Sequence, residues 1–321
     1  MTRPLRSVLI GDVDFYPSEF AFGVNQALTR AGHAHTSVNI RHTLTTIAKR
    51  VEEMQPDLIW GHMLLWAPPG EGEPTEVRRG MTWKTAGLLD LCHTWRAKGA
   101  KVLIHDGDAR LETRCPTDVS DAIDLALCNH TADRSVWKIP QLHWPYFAFD
   151  QAQIADPVPE FTCDLAFAGR LSTEGIYADR TELVLTLKTK LGDRMKLFPG
   201  NGIAHTLYRT PELAASADAI LGYGRPDRNG WLDVRTFQYP GAGGVLLSDD
   251  VGGFLTPEIH YLPYDGTGGL ADRVDAILTL LDYSKPEDRG PLRADAFAHV
   301  QAHHSATARV RQALTAVGLT L

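Results

Sequence analysis

Short apolar runs rich in β-branched residues exchange with longer stretches of helical period along this chain. In the first half the pattern predicts strands at residues 7–10, 57–60, 101–104 and 125–128, with a short one near Leu142. Helices are predicted at residues 20–31, closed by Gly32, at 44–54, and at about 85–98, ended by Gly99. Residues 149–160, rich in Pro, Asp and Gln, break the rhythm and read as a linker. The exchange then resumes, with strands at 164–168, 195–198, 219–221, 245–247 and 259–262. The matching helices fall at about 180–191, 211–216, 232–239, 269–281 and 286–301, with a last one to about 316. Exchange of this kind means parallel sheets with helices on both faces. The expected fold is α/β, with two Rossmann-like domains, residues 1–155 and 156–321, facing a central cleft.

At 321 residues the chain is longer than one core comfortably serves, which agrees with two domains. Net charge is −7, about −2 over residues 1–155 (16 basic, 18 acidic) and −5 over the rest (16 basic, 21 acidic). That balance lacks the basic footprint of a protein built mainly to grip nucleic acid. Cys92, Cys115, Cys128 and Cys163 form no Cys-x-x-Cys pair and read as reduced thiols of a cytoplasmic protein. The apolar run after Met1 reads as a first strand rather than a leader, and no run is long enough to span a bilayer, so no membrane partner is expected.

The most informative string is Arg235-Thr-Phe-Gln-Tyr-Pro-Gly-Ala-Gly-Gly-Val-Leu-Leu-Ser-Asp249. A short helix runs to Pro240, then a glycine turn, then a buried strand. Gly241, Gly243 and Gly244 are expected to leave the main chain open to a ligand, and a neighbouring helix end to favour a phosphate. The pattern Arg-x-Phe-Glu-x-x-x-x-Gly-Gly before a strand and Asp is the signature of a set of GT-B glycosyltransferases. Over residues 160–315 the chain resembles their spore-maturation-type (CgeB-like) branch. Asp164-Leu-Ala-Phe-Ala-Gly-Arg170 resembles the opening strand and turn of the family's nucleotide domain, Glu258-Ile-His-Tyr-Leu262 a later strand, and residues 304–309 the closing helix.

The resemblance implies a nucleotide-sugar donor, UDP-sugar first among them, held through Gly169, Arg170, Arg235, Gln238 and the glycine turn, with no metal or other cofactor required. The family's lysine is missing and Arg180 is the candidate substitute, with surface salt bridges the competing reading for Arg170 and Arg180. Gln238 occupies the glutamate position and Gly230 the place where retaining relatives carry a second acid. Glutamine still bonds ribose hydroxyls but supplies no carboxylate.

His105, Asp106 and Asp108 follow an apolar strand at the end expected to face the cleft, where each could take the acceptor's proton, and Asp106 or Asp108 is the candidate base for an inverting transfer. The competing reading is that the aspartates cap a turn and the histidine packs. Asp106-x-Asp108 and Asp12-x-Asp14 also fit the metal-holding pair of GT-A transferases. Tyr223 and Arg225, in a Gly-x-Gly loop, are candidates for a nucleobase and its phosphates, against an ordinary loop. Residues 61–85 read as one long loop bearing Trp66, Arg78, Arg79, Trp83 and Lys84, suited to a hydroxyl acceptor, a hydroxymethylated DNA base among the possibilities beside a small metabolite or glycan. The expected activity is sugar transfer to a hydroxyl group; the other class open is a non-catalytic nucleotide-sugar-binding protein.

Overall fold

The computed structural model describes residues 3–11, 19–62, 64–66, 72–74, 77–78, 81–106, 118–129, 135–174, 177–199, 209–223, 232–249, 251–283 and 289–321. The chain forms two compact units. The first takes Met1–Tyr146, Arg228–Trp231 and Ala306–Leu321; the second takes Phe147–Asp227 and Leu232–Ser305.

In the first unit β1 (Arg6–Gly11), α1 (Glu19–Arg30), β2 (Ala34–Asn39), α2 (Leu44–Met54) and β3 (Leu58–His62) follow one another. A 3-10 turn at Leu64–Trp66 leads to an antiparallel ribbon of β4 (Val77–Arg78) and β5 (Met81–Thr82). Then come α3 (Trp83–Ala97), β6 (Lys101–Asp106), β7 (Leu125–Cys128) and β8 (Gln141–His143). The main sheet has order β2-β1-β3-β6-β7-β8, and all its pairings are parallel. Covered on both faces, its central strands can be apolar throughout, and Val8, Leu9 and Ile10 are fully buried. α2 begins where the Thr43 hydroxyl accepts from Thr46 N (3.3 Å), and α3 where Thr82 does the same for Thr85 N (3.1 Å). Ile47 and Val51 from α2, and Leu88, Cys92 and Trp95 from α3, fill the core against Ile59, Val102 and Ile104.

Two features differ from the sequence pattern. β2, with sequence Ala-His-Thr-Ser-Val-Asn, is too polar to read as a strand; as the edge of the sheet it needs burial only at its end and is held by six parallel partners on β1. Residues 61–85 are not one loop, since they contain the 3-10 turn, the ribbon and the start of α3.

The second unit contains β9 (Cys163–Gly169), α4 (Ala178–Leu191), β10 (Met195–Pro199), α5 (Thr210–Ser216), β11 (Ala217–Leu221), α6 (Arg235–Gly241), β12 (Leu246–Ser248), β13 (Leu262–Pro263), α7 (Leu270–Tyr283) and α8 (Arg289–His303). Its sheet order is β10-β9-β11-β12-β13, again parallel throughout. One face packs Phe237, Tyr239, Leu213 and Val300, the other Leu183, Leu187, Val274 and Ile277. The strand expected at 259–262 shrinks to Leu262–Pro263, because residues 256–261 fold as a turn in which His260 N donates to Thr256 O (2.8 Å) and Ile259 stays half exposed.

The last helix, α9 (Ala306–Ala316), belongs to the first unit. It packs along α1, buries Val310, Ala313 and Leu314, and its Arg309 carbonyl accepts from Trp144 Nε1 at 3.0 Å.

Candidate functional site

Parallel sheets of these orders open a crevice at the carboxyl ends of adjacent strands whose connections leave in opposite directions. In the second unit that point lies between β9 and β11, where Gly169–Arg170 and Gly222–Tyr223 leave the sheet. Arg170 is exposed and lies 5.3 Å from the centre of the Tyr177 ring. Arg180, in the first turn of α4, is buried, 4.7 Å from the same ring and 5.7 Å from Phe167, and donates to the Arg170 carbonyl. Two guanidinium groups thus share one tyrosine face region at a strand end, an arrangement that concentrates positive charge.

Arg235 is committed within the protein. Nη1 donates to Ala168 O (2.6 Å), Nε to Asp233 Oδ1 (2.7 Å) and Nη2 to Asp233 Oδ2, tying α6 to the end of β9. A Cβ on residue 169 would run into this guanidinium, so Gly169 is bare for the sake of an internal arginine. Burial of Asp233 works against its charge, yet the Arg235 guanidinium, its hydrogen bonds and the charge of Arg180 together hold the carboxyl below its ordinary range.

Gln238, one turn along α6, is 3% exposed, and neither Oε1 nor Nε2 has a hydrogen-bond partner among the described residues. A buried amide of this kind is costly in a folded protein unless something meets it. The three glycines expected to be bare toward a ligand are instead packed by the protein. A Cβ on Gly241 would collide with Ala148 and lie 2.8 Å from Val300 Cγ1; on Gly243 it would lie 2.5 Å from Ile154 Cγ1; on Gly244, 3.0 Å from Ile220 Cδ1. Their missing side chains let α6, α8 and the 148–154 segment close around β12.

Tyr223 is half-buried and its hydroxyl accepts from Arg273 Nη1 at 3.2 Å; burial pushes its pKa up. Beside it Tyr264 donates to Gly222 O at 3.4 Å. Arg225, Asp108 and Gly230 lie outside the described residues.

In the first unit the corresponding point lies at the ends of β1 and β3, with β6 alongside. His62 ends β3 and stands in register with His105, the last residue but one of β6, and their Nδ1 atoms are 3.0 Å apart. Phe20 from α1 stacks on both rings, 4.8 Å from His62 at 14° and 4.4 Å from His105 at 8°. Trp144 and Tyr146 meet His105 edge-on at 5.4 and 5.3 Å. A Cβ on Gly11 would come 3.0 Å from His62 Cβ, so the glycine lets β1 and the end of β3 approach closely. Asp106 is also buried, but it follows His105 on an extended strand, so the two side chains leave opposite faces of the sheet.

His62 was not among the residues singled out from the sequence. The available signal was that two apolar runs, Leu58-Ile-Trp-Gly and Val102-Leu-Ile, are each followed directly by a histidine. Lys84, expected at a ligand, is fully buried: it donates to His42 O at 2.6 Å and pairs with Glu73 at 3.4 Å. Burial lowers its pKa and the Glu73 charge opposes that fall. Arg79 lies outside the described residues, as do the side chains of Trp66 and Arg78. Among the described residues no three His, Cys, Asp or Glu side chains are grouped to hold a metal ion. His260 and His299 stack at 4.2 Å, and His303 and His304 meet this pair tilted or edge-on at 5.0–6.3 Å.

Residues 199–315 match a protein-family model described as glycosyl transferase-like. No curated protein matches the sequence. Solved structures match almost the whole chain. A glycosyltransferase from Rickettsia africae is 10% identical with a TM-score of 0.60, the alignment covering 98% of each chain. The Anabaena protein HepE, in complex with UDP and glucose, is 8% identical at a TM-score of 0.59, covering 98% of this chain and 99% of that one. A UDP-forming α,α-trehalose-phosphate synthase from Burkholderia xenovorans is 13% identical at 0.57, covering 98% and 99%. The two parallel-sheet α/β units are those of the GT-B fold.

Proposed function

We propose that the protein is a glycosyltransferase of the spore-maturation-type branch, moving a sugar from a nucleotide donor bound by the second unit to a hydroxyl acceptor served by the first. The observation that carries this reading is Gln238, a buried amide with neither polar atom partnered among the described residues, within the segment that matches the transferase family. A ribose diol suits it, one hydroxyl donating to Oε1 and the other accepting from Nε2. UDP-sugar is the donor to test first, since HepE was solved with UDP and glucose and the Burkholderia enzyme is UDP-forming by name.

Arg170 then faces the diphosphate, with Arg180 behind it, and Tyr223 faces the base. Arg235 frames the site, since its donors already serve Asp233 and Ala168. In the first unit His105 takes the proton of the acceptor hydroxyl as its oxygen bonds to the anomeric carbon and the sugar–phosphate bond breaks, UDP leaving with the new charge on its terminal phosphate. Asp106 and Asp108 are the other candidates for the base. The acceptor proposed is a small metabolite or glycan precursor rather than DNA, because Lys84, one of the basic groups expected to grip a polynucleotide, is locked in an internal ion pair. The replacement of the family's glutamate by Gln238 favours one rival, a nucleotide-sugar-binding protein without turnover.

The test is thermal unfolding with UDP, GDP, ADP, CMP, dTDP and their sugars, because a ligand specific to the folded state raises Tm by mass action. UDP or a UDP-sugar is expected to raise Tm, and Arg170→Ala to abolish the rise while leaving the unliganded Tm in place. No shift with any nucleotide sinks the proposal.

A further inference from the structure

We propose that His62 is a positioning residue for this transfer: its Nδ1 accepts a hydrogen bond from His105 Nδ1–H and so leaves Nε2 of His105 as the basic nitrogen. The inference rests on the reading of His105 as the group that takes the acceptor's proton.

Two imidazole nitrogens 3.0 Å apart attract only when one carries a proton and the other a lone pair. Two N–H groups would point hydrogen at hydrogen, and two lone pairs would repel. The neutral pair therefore holds a single proton between its Nδ1 atoms. Each neutral ring carries one proton in all, so a ring that spends it at Nδ1 has a lone pair at Nε2. If His105 is that ring, its Nε2 can accept a proton from a hydroxyl group. His62 then does more than choose the tautomer, since the Nδ1–H of a His105 imidazolium donates a stronger, charge-assisted bond to the same acceptor.

The surroundings hold both rings to this geometry. Phe20 is nearly parallel to each, which blocks rotation of either imidazole out of the shared plane. Trp60 and Trp144, both fully buried, brace Phe20, and Trp144 also meets His105 edge-on. Gly11 is bare where the backbone of β1 passes His62. The register that sets His62 beside His105 comes from parallel pairing of β3 with β6, so the bond is built into the sheet rather than into a loop.

Two variants separate the hydrogen bond from the packing. His62→Phe keeps an aromatic ring against Phe20 and removes the acceptor; His62→Asn keeps an amide oxygen near the position of Nδ1. In long-range 1H–15N spectra of the 15N-histidine-labelled protein without substrate, wild type and His62→Asn are expected to show His105 protonated at Nδ1, and His62→Phe to shift it toward Nε2–H. In UDP release from UDP-glucose, with water as the acceptor, His62→Phe is expected to lower kcat about tenfold or more with KM for the donor unchanged, and His62→Asn to recover most of the loss. Wild-type His105 protonated at Nε2 overturns the proposal, as does a folded His62→Phe protein with wild-type kcat. If wild type itself releases no UDP, the transferase reading fails, while the tautomer spectra still decide what His62 does to His105.

Discussion

The carboxyl ends of the two sheets share a plan and differ in chemistry. Each first strand ends in a glycine, Gly11 on β1 and Gly169 on β9, and each glycine is bare because a side chain from another strand or helix lies against it. On β1 that side chain is His62, met at its Cβ; on β9 it is Arg235, met at its guanidinium. The first edge is buried and walled by Phe20, Trp60 and Trp144, suited to holding one proton between neutral groups. The second presents an exposed arginine and a half-buried tyrosine, suited to holding an anion from solution. Topology makes the crevice in both; the residues at the strand ends decide what it holds.

The largest effects should come from the ion pairs that brace each edge. Lys84→Ala strands Glu73 in the first unit and Arg235→Ala strands Asp233 in the second. Each is expected to cost about 3–5 kcal/mol in urea unfolding, while the joint change Lys84→Met with Glu73→Gln costs less, because no buried charge is left alone. An Arg235→Ala protein as stable as wild type would remove the bracing role and with it half of the comparison. Next, Gly169→Ala should lose about 1–3 kcal/mol by forcing the Arg235 guanidinium aside, and Gly11→Ala less, since the contact there is 3.0 Å.

Acid should separate the units. Burial pulls the pKa of His35, whose Nδ1 is 2.7 Å from Ser7 Oγ, down to about 4. The unfolded chain takes up that proton near the ordinary value of 6.5, so it binds more protons than the folded state between the two values. Stability of the first unit should fall as pH drops from about 6.5 to about 4 and be flat above, and His35→Gln should flatten this limb in thermal unfolding. Asp233, held below the carboxylate range, lends stability to the second unit that is lost only at lower pH, as the medium falls through its depressed pKa. The smallest effect is expected of Arg170→Ala, within about 0.5 kcal/mol for an exposed side chain, with the nucleotide-dependent rise in Tm lost.

Much of the layered plan was legible. α2 and β7 occur at the residues the pattern predicts, since a threonine cap and a four-residue apolar run are local signals. β2 was not, because an edge strand owes its existence to its neighbour more than to its own side chains. The string from Arg235 to Asp249 foretold a short helix, a turn and a buried strand, yet misjudged its glycines: a bare backbone looks the same in sequence whether a ligand or a neighbouring helix fills the space. The His62–His105 bond depends on the register of two strands 43 residues apart, which no local pattern encodes. Lys84 illustrates the same limit, since a lysine beside a tryptophan after a polar stretch reads as surface until Glu73 and the His42 carbonyl are seen around it.

The placement of α9 bears on how the chain matures as it leaves the ribosome. The first unit draws on both Met1–Tyr146 and Ala306–Leu321, with roughly 160 residues made in between. At about 5–20 residues per second, α1, finished at Arg30, waits roughly fifteen to fifty-five seconds for the helix that covers it. The second unit is finished first, although its synthesis starts later. The segment begun first therefore stays dependent on nascent-chain protection until translation reaches residue 316.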